Sequence, residues 1–190
     1  LQGAEYADAR LVSIDEESIR TRNGVVRAVQ RSQTTGIGVR VLVDGAWGFA
    51  GTSAADLAGA ESAARTAADI ARASAAHIRR RVDLGERVTT VARYETPCRQ
   101  DPFAVSLEDK VSLLLAADAA MKLPKVSVCQ ANLVSLKRSQ VFASTEGSYI
   151  EQDIVETGGG IEALAVDQGE VQQRTYPNAF GRDQATAGFE

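Results

Sequence analysis

A chain of 190 residues is long enough to bury a core without disulfide or metal staples, and its 44% hydrophobic and 24% charged content is that of an ordered globular protein. A formal net charge of -4 and a pI near 5.2 give no bulk attraction to nucleic acid or anionic lipid. No apolar run reaches the roughly 20 residues of a membrane span, and residues 1–30 lack a basic-then-apolar leader pattern, so the default address is cytoplasmic.

Residues 8–50 read as strands. Asn23-Gly24 is a two-residue turn signal joining Glu17–Arg22 to Val25–Gln33, because both turn residues tolerate positive φ. The next strand alternates, with Ile37, Val39, Val41 and Val43 on one face and Gly38, Arg40 and Leu42 on the other. Asp44-Gly45 turns it back into Ala46-Trp47-Gly48-Phe49-Ala50, with Trp47 and Phe49 on one side and expected in the core.

The period then changes to 3.6 residues. Ser53 with Asp56 three positions on resembles a capping box, and a long helix is expected from there to Arg79-Arg80-Arg81, with Gly85 beyond it. Its buried stripe is predicted as Leu57, Ala60, Ala64, Ala67, Ala71 and Ile78, with Glu61, Arg65, Asp69 and Arg72 in solvent. So alanine-rich a seam suits close approach to a sheet, and the helix is expected across the apolar face of the hairpins. Arginines at a helix end complement its dipole, which accounts for the basic run without an anionic partner.

Thr89–Tyr94 reads as a short strand, and Pro97 and Pro102 interrupt regular structure. Ser106 caps a second helix, Leu107 to Lys122, with Leu107, Val111, Leu114 and Leu115 inward; Pro124 disfavours its continuation. Ser127–Leu136, Gln140–Ser144, Tyr149–Glu156, Ile161–Asp167 and Val171–Thr175 read as an antiparallel meander, in which Gly158-Gly159-Gly160 is a bulge or strand break rather than a phosphate cradle. The fold class is therefore α+β: antiparallel hairpins with a long packed helix in residues 1–84, then a second helix and an antiparallel meander in 85–190.

Residue types that carry chemistry are scarce. A hydrolytic zinc site needs three protein ligands and an open position for water, and the chain has one histidine, His77, near the expected helix end. No G-x-S-x-G elbow is present, so a serine triad would rest on His77 alone. Cys98 and Cys129 are too few for a disulfide framework or zinc ribbon and read as half-buried structural thiols. Asp15-Glu16-Glu17 lacks the alternation of a calcium loop and reads as a solvated turn or strand edge.

Several blocks resemble one family. Tyr6-Ala7-Asp8-Ala9-Arg10, Arg22-Asn23-Gly24 and the run from Gly36 to Ala50 are similar, in order and spacing, to the start of TldD/PmbA metallopeptidases, nearer the TldD branch. Within them Asn23, Gly24, Gly36, Gly38, Asp44, Gly45, Trp47, Gly48 and Phe49 match the family's motif, as structural positions. Arg174-Thr175-Tyr176-Pro177-Asn178 and Ala187-Gly188-Phe189-Glu190 resemble the segment that precedes the family's catalytic domain. The resemblance implies a cytoplasmic peptidase, once labelled a modulator of DNA gyrase, that forms a homodimer or a TldD–PmbA heterodimer and cleaves extended peptides. It also implies zinc in the full-length protein, held by H-E-x-x-x-H and a further ligand downstream. No position here matches that motif, so no catalytic or metal residue is carried over, and the chain is expected to be an inactive amino-terminal part of something longer. The rival expectation is a stand-alone interaction module that uses the Trp47 hairpin or an exposed sheet edge.

Overall fold

The computed structural model describes residues 3–177 and 188–189; Asn178, Ala187 and Glu190 of the carboxy-terminal blocks lie outside them. The elements in chain order are β1 (Tyr6–Arg22), β2 (Val25–Val43), β3 (Ala46–Thr52), α1 (Leu57–Ala75), β4 (Val91–Glu95), α2 (Leu107–Met121), β5 (Val126–Ser144), β6 (Tyr149–Asp167) and β7 (Glu170–Tyr176). Hydrogen bonding orders the strands β3-β2-β1-β5-β6-β4, with β7 also on β6. The β2–β3 and β6–β7 pairs are antiparallel, whereas β4 runs parallel to β6, which no meander predicts. The class is α+β, as expected.

The strands are longer than their turn signals suggested. Residues 34–36 do not interrupt β2, residues 137–139 do not interrupt β5, and the glycines 158–160 lie inside an unbroken β6, so no strand break exists there. The described residues form two compact units that interleave along the sequence: residues 3–14, 34–95 and 138–153 form one, and residues 15–33, 96–137, 154–177 and 188–189 the other.

In the first unit α1 packs on the face of Val39, Val41 and Val43, joined by Ala7, Ala63, Ala67, Ala68 and Ala71, with Ile37 at its margin. This is the apolar face that alternation defined. The helix itself differs from expectation. Asp56, not Ser53, is the N-cap, its carboxylate accepting from the Gly59 N–H at 2.7 Å, and the helix stops at Ala75. His77 and the three arginines therefore lie beyond it and do not complement its dipole. The chain leaves the helix because its backbone is used elsewhere: the Val82 N–H donates to the Gly45 carbonyl at 2.8 Å, and Arg81 pairs with Asp44 at 3.4 Å.

The buried stripe is rotated from the predicted one and comprises Gly59, Ala63, Ala67, Ala68 and Ala71, leaving Leu57 77% exposed. Close approach explains the rotation. A Cβ on Gly48 would stand 1.9 Å from the Ala67 carbonyl oxygen and 2.6 Å from the Ala71 nitrogen, so helix backbone lies directly on strand backbone. Only the smallest residues fit such a seam, which selects alanine and glycine over leucine.

Trp47 and Phe49 are on the opposite face, since they flank Gly48 and side chains alternate. Their expected place beneath α1 is thereby overturned. Phe49 is 62% exposed and lies across Gly38, where a Cβ would meet its ring at 3.2 Å.

In the second unit α2 covers a core of Ile19, Leu114, Ala131 and Leu133. Ser106 caps the helix as expected, accepting from the Asp109 N–H at 3.0 Å. The predicted inward stripe is only partly right: Leu107 is 37% exposed, and the fully buried positions besides Leu114 are Lys110 and Asp118.

Candidate functional site

Chemistry-bearing residues gather in three places, each within one unit. The first is the outer face of the β1–β2–β3 hairpins. Asp8, Arg40, Tyr6 and Trp47 share it because all point away from α1. Arg40 donates to one Asp8 oxygen through Nε at 2.9 Å and Nη2 at 2.6 Å, and its guanidinium lies 4.9 Å from the centre of the Trp47 ring. Tyr6 meets the same indole edge-on at 5.7 Å. The hydrogen bond to Asp8 raises the Arg40 pKa, and burial followed by the Asp8 charge raises that of Tyr6. Arg40 is therefore a fixed cation sandwiched between a carboxylate and an aromatic face, an arrangement that positions groups and offers no nucleophile or base.

The turns that begin and end β2 are built by the motif residues. Asn23 and Gly24 have φ of 52° and 74°, Asp44 and Gly45 49° and 75°, the pairing of a type I′ hairpin. Gly45 donates to the Glu5 carboxylate at 2.9 Å, and Gly36 lies close against the Thr52 carbonyl, at 3.0 Å from where a Cβ would stand. Asn23 does more than turn the chain: its Oδ1 accepts from the Cys129 N–H at 2.8 Å and its Nδ2 donates to the Ser127 carbonyl at 3.3 Å. Asn23→Ala should therefore lower unfolding stability by about 1–2 kcal/mol, from strain at positive φ and two lost hydrogen bonds, read as a shift of the urea midpoint.

The second gathering went unforeseen. Glu17, expected in a solvated turn or at an exposed strand edge, sits inside β1 and is only 1% exposed. It shares a face with Ile19 and Thr21 by alternation, and burial there is tolerated because Lys110 of α2, fully buried, donates to its Oε1 at 2.5 Å. Arg31 of β2 holds the other oxygen. Burial pushes the Glu17 pKa up, but the hydrogen bonds from Lys110 and Arg31 outweigh it, and the net shift is downward. The signal was present in the spacing: Lys110, Leu114 and Asp118 recur every four residues on one helix face.

The third is the cavity around the Asn23-Gly24 turn and the end of α2, lined by Asp118, Lys122 and Cys129 among others. Cys129 is buried rather than half-buried, and its thiol pKa is raised by burial and by the Asp118 charge. That makes it a poor nucleophile.

Zinc does not fit these residues. His77 lies past the end of α1, no group of three or more His, Cys, Asp or Glu among the described residues could hold a metal ion, and the buried acids Asp8 and Glu17 are already taken by Arg40 and Lys110. Likewise, no helix of the described residues is long and apolar enough to cross a membrane.

This architecture has known counterparts. A solved Thermotoga maritima structure, described as a candidate modulator of a DNA gyrase, superposes with a TM-score of 0.73 at 14% identity, covering 96% of this chain and 40% of that one. TldE from Thermococcus kodakarensis superposes at 0.65 with 10% identity, covering 98% and 41%. At such identities the likeness concerns the fold.

Sequence comparison gives the family. The model of PmbA/TldA metallopeptidase domain 1 matches residues 7–71 and that of the PmbA/TldA metallopeptidase central domain matches residues 100–190. The chain belongs to the PmbA/TldD metallopeptidase family. A metalloprotease of Methanothermobacter thermautotrophicus is 28% identical over 98% of this chain, and one of Archaeoglobus fulgidus 27% identical over 97%. The chain spans about two fifths of the length of these curated relatives, 38% and 40% respectively.

Proposed function

We propose that this chain is the non-catalytic part of a zinc metallopeptidase acting on extended peptides, shaping the substrate cavity and the assembly of the enzyme in the cytoplasm. The observation that carries the reading is the family match confined to domain 1 and the central domain, in a chain whose single histidine cannot supply an H-E-x-x-x-H pair. On this reading the zinc and the attacking water belong to the remaining length of the relatives, and the partner is a second copy or a PmbA-type chain. A second reading, an interaction module without peptidase activity, is favoured by the 62% exposure of Phe49 beside Trp47.

The test compares the 190-residue chain with a longer polypeptide in which an H-E-x-x-x-H segment follows it. The chain alone is expected to take up no stoichiometric zinc and to hydrolyse no unstructured peptide, while the longer polypeptide does both. Tight zinc with peptide cleavage by the chain alone overturns both readings. Cleavage by the longer polypeptide separates the first from the second.

A further inference from the structure

In the second unit, the sheet face turned away from α2 carries a cation and an acid that border one hollow without pairing. β1, β5 and β6 lie side by side in the sheet. Ile19, Thr21, Cys129, Ala131 and Leu133 are buried, and Ile19, Ala131 and Leu133 belong to the core under α2. Alternation turns their neighbours Arg20, Gln130 and Asn132 to the opposite face. Glu162 of β6 joins them there, its Oε1 accepting from Gln130 Nε2 at 3.1 Å. These four residues line an open cavity of about 380 Å³, within the range of ordinary ligand pockets.

Arg20 is exposed and makes no hydrogen bond, ion pair or ring contact among the described residues. Its guanidinium is thus open to a carboxylate, which it can hold through two parallel N–H···O bonds. Glu162 is half-buried, and its Oε2 has no donor among the described residues. Gln130 spends its Nε2 on Glu162 and keeps its own Oε1 for an N–H. Charge then decides which ligand fits. A phosphate dianion would gain from Arg20 but be opposed by Glu162. A single carboxylate with N–H groups beside it satisfies both ends of the hollow, and Gln130, on the strand between them, accepts from such a group as well.

We infer that this cavity holds the carboxy-terminal end of a short peptide, its carboxylate in the Arg20 fork and its last N–H groups on Gln130 Oε1 and Glu162 Oε2. The inference rests on the peptide reading of the chain and names the end of the peptide that is recognised. Binding here needs neither zinc nor cleavage, so it and hydrolysis by a longer polypeptide succeed or fail separately.

Three probes test it by NMR titration of the 190-residue chain: N-acetyl-Ala-Ala-Ala as the free acid, the same peptide with a carboxy-terminal amide, and acetate. The free acid is expected to saturate and to shift the backbone amides of Arg20, Ala131 and Asn132. The amidated peptide should bind about 10-fold more weakly, the scale of a lost charge-assisted hydrogen bond. Arg20→Gln, at an exposed position, should bring the acid down to the affinity of the amide without moving the urea midpoint. Arg20→Lys keeps the charge, loses the fork, and should fall between the two. Failure of the free acid to saturate the unaltered chain overturns the inference, as do equal affinities of acid and amide, or a preference for the acid that survives in Arg20→Gln. Acetate binding as tightly as the acid peptide also overturns it, since the site would then recognise a carboxylate without a peptide.

Discussion

Gly48→Ala should cost the first unit about 3 kcal/mol or more and loosen α1 from its sheet, the result of adding one methyl group. A Cβ there would stand 1.9 Å from the Ala67 carbonyl oxygen and 2.6 Å from the Ala71 nitrogen. Both atoms belong to helix backbone, so no rotamer change relieves the overlap, and the helix has to lift away from Val39, Val41 and Val43. Gly38→Ala is the internal control. Its Cβ would meet the rim of the exposed Phe49 ring at 3.2 Å, and that ring can swing into solvent. Far-UV circular dichroism against urea should show a markedly lower midpoint for the first variant and a shift within about 1 kcal/mol for the second. Equal shifts would mean that the seam between α1 and β3 is not set by backbone contact.

The same contact explains how much of the fold could be read in advance. Alternation over Ile37, Val39, Val41 and Val43 identified the covered face, because a half-buried strand writes its orientation into every second residue. Two turn dipeptides placed the hairpins, because the need for positive φ restricts residue choice at those points. The inward side of α1 was only partly legible: Ala67 and Ala71 are buried as expected, but in a helix with alanine all round periodicity barely distinguishes Ala60 and Ala64 from Ala63 and Ala68, and the choice falls to Gly48, a residue on another element. Trp47 and Phe49 misled for a related reason. Aromatic residues usually go inward, but alternation ties them to the face opposite Gly48, and the glycine's contact with α1 took precedence. The long strands hid because Gly36 after two threonines, and the glycines at 158–160, look like breaks only until neighbouring strands supply their hydrogen bonds.

Lys110→Met is expected to destabilise the second unit by about 3–5 kcal/mol, more than any substitution at Arg31. Lys110 is fully buried and Glu17 is 1% exposed, so removing the ammonium strands a carboxylate in the core between β1 and α2. Arg31 can offset only part of the loss, since its side chain is 63% exposed and its interaction is screened by water. If the penalty is that of an orphaned charge rather than lost packing, replacing both partners, Glu17→Leu with Lys110→Met, should recover most of it, and the double-mutant cycle should show strong coupling. The acid limb follows from the same geometry. The Glu17 pKa is lowered in the folded chain from its reference value of 4.5, so its stabilising contribution is fully present above about pH 4.5 and is lost as pH falls through the lower folded value. Glu17→Gln should flatten that limb in urea titrations between pH 5 and 3, while leaving stability near pH 7 lower than in the unaltered chain. An unchanged acid limb in Glu17→Gln, or additivity in the cycle, would show that α2 is held by Leu114 and its apolar neighbours alone.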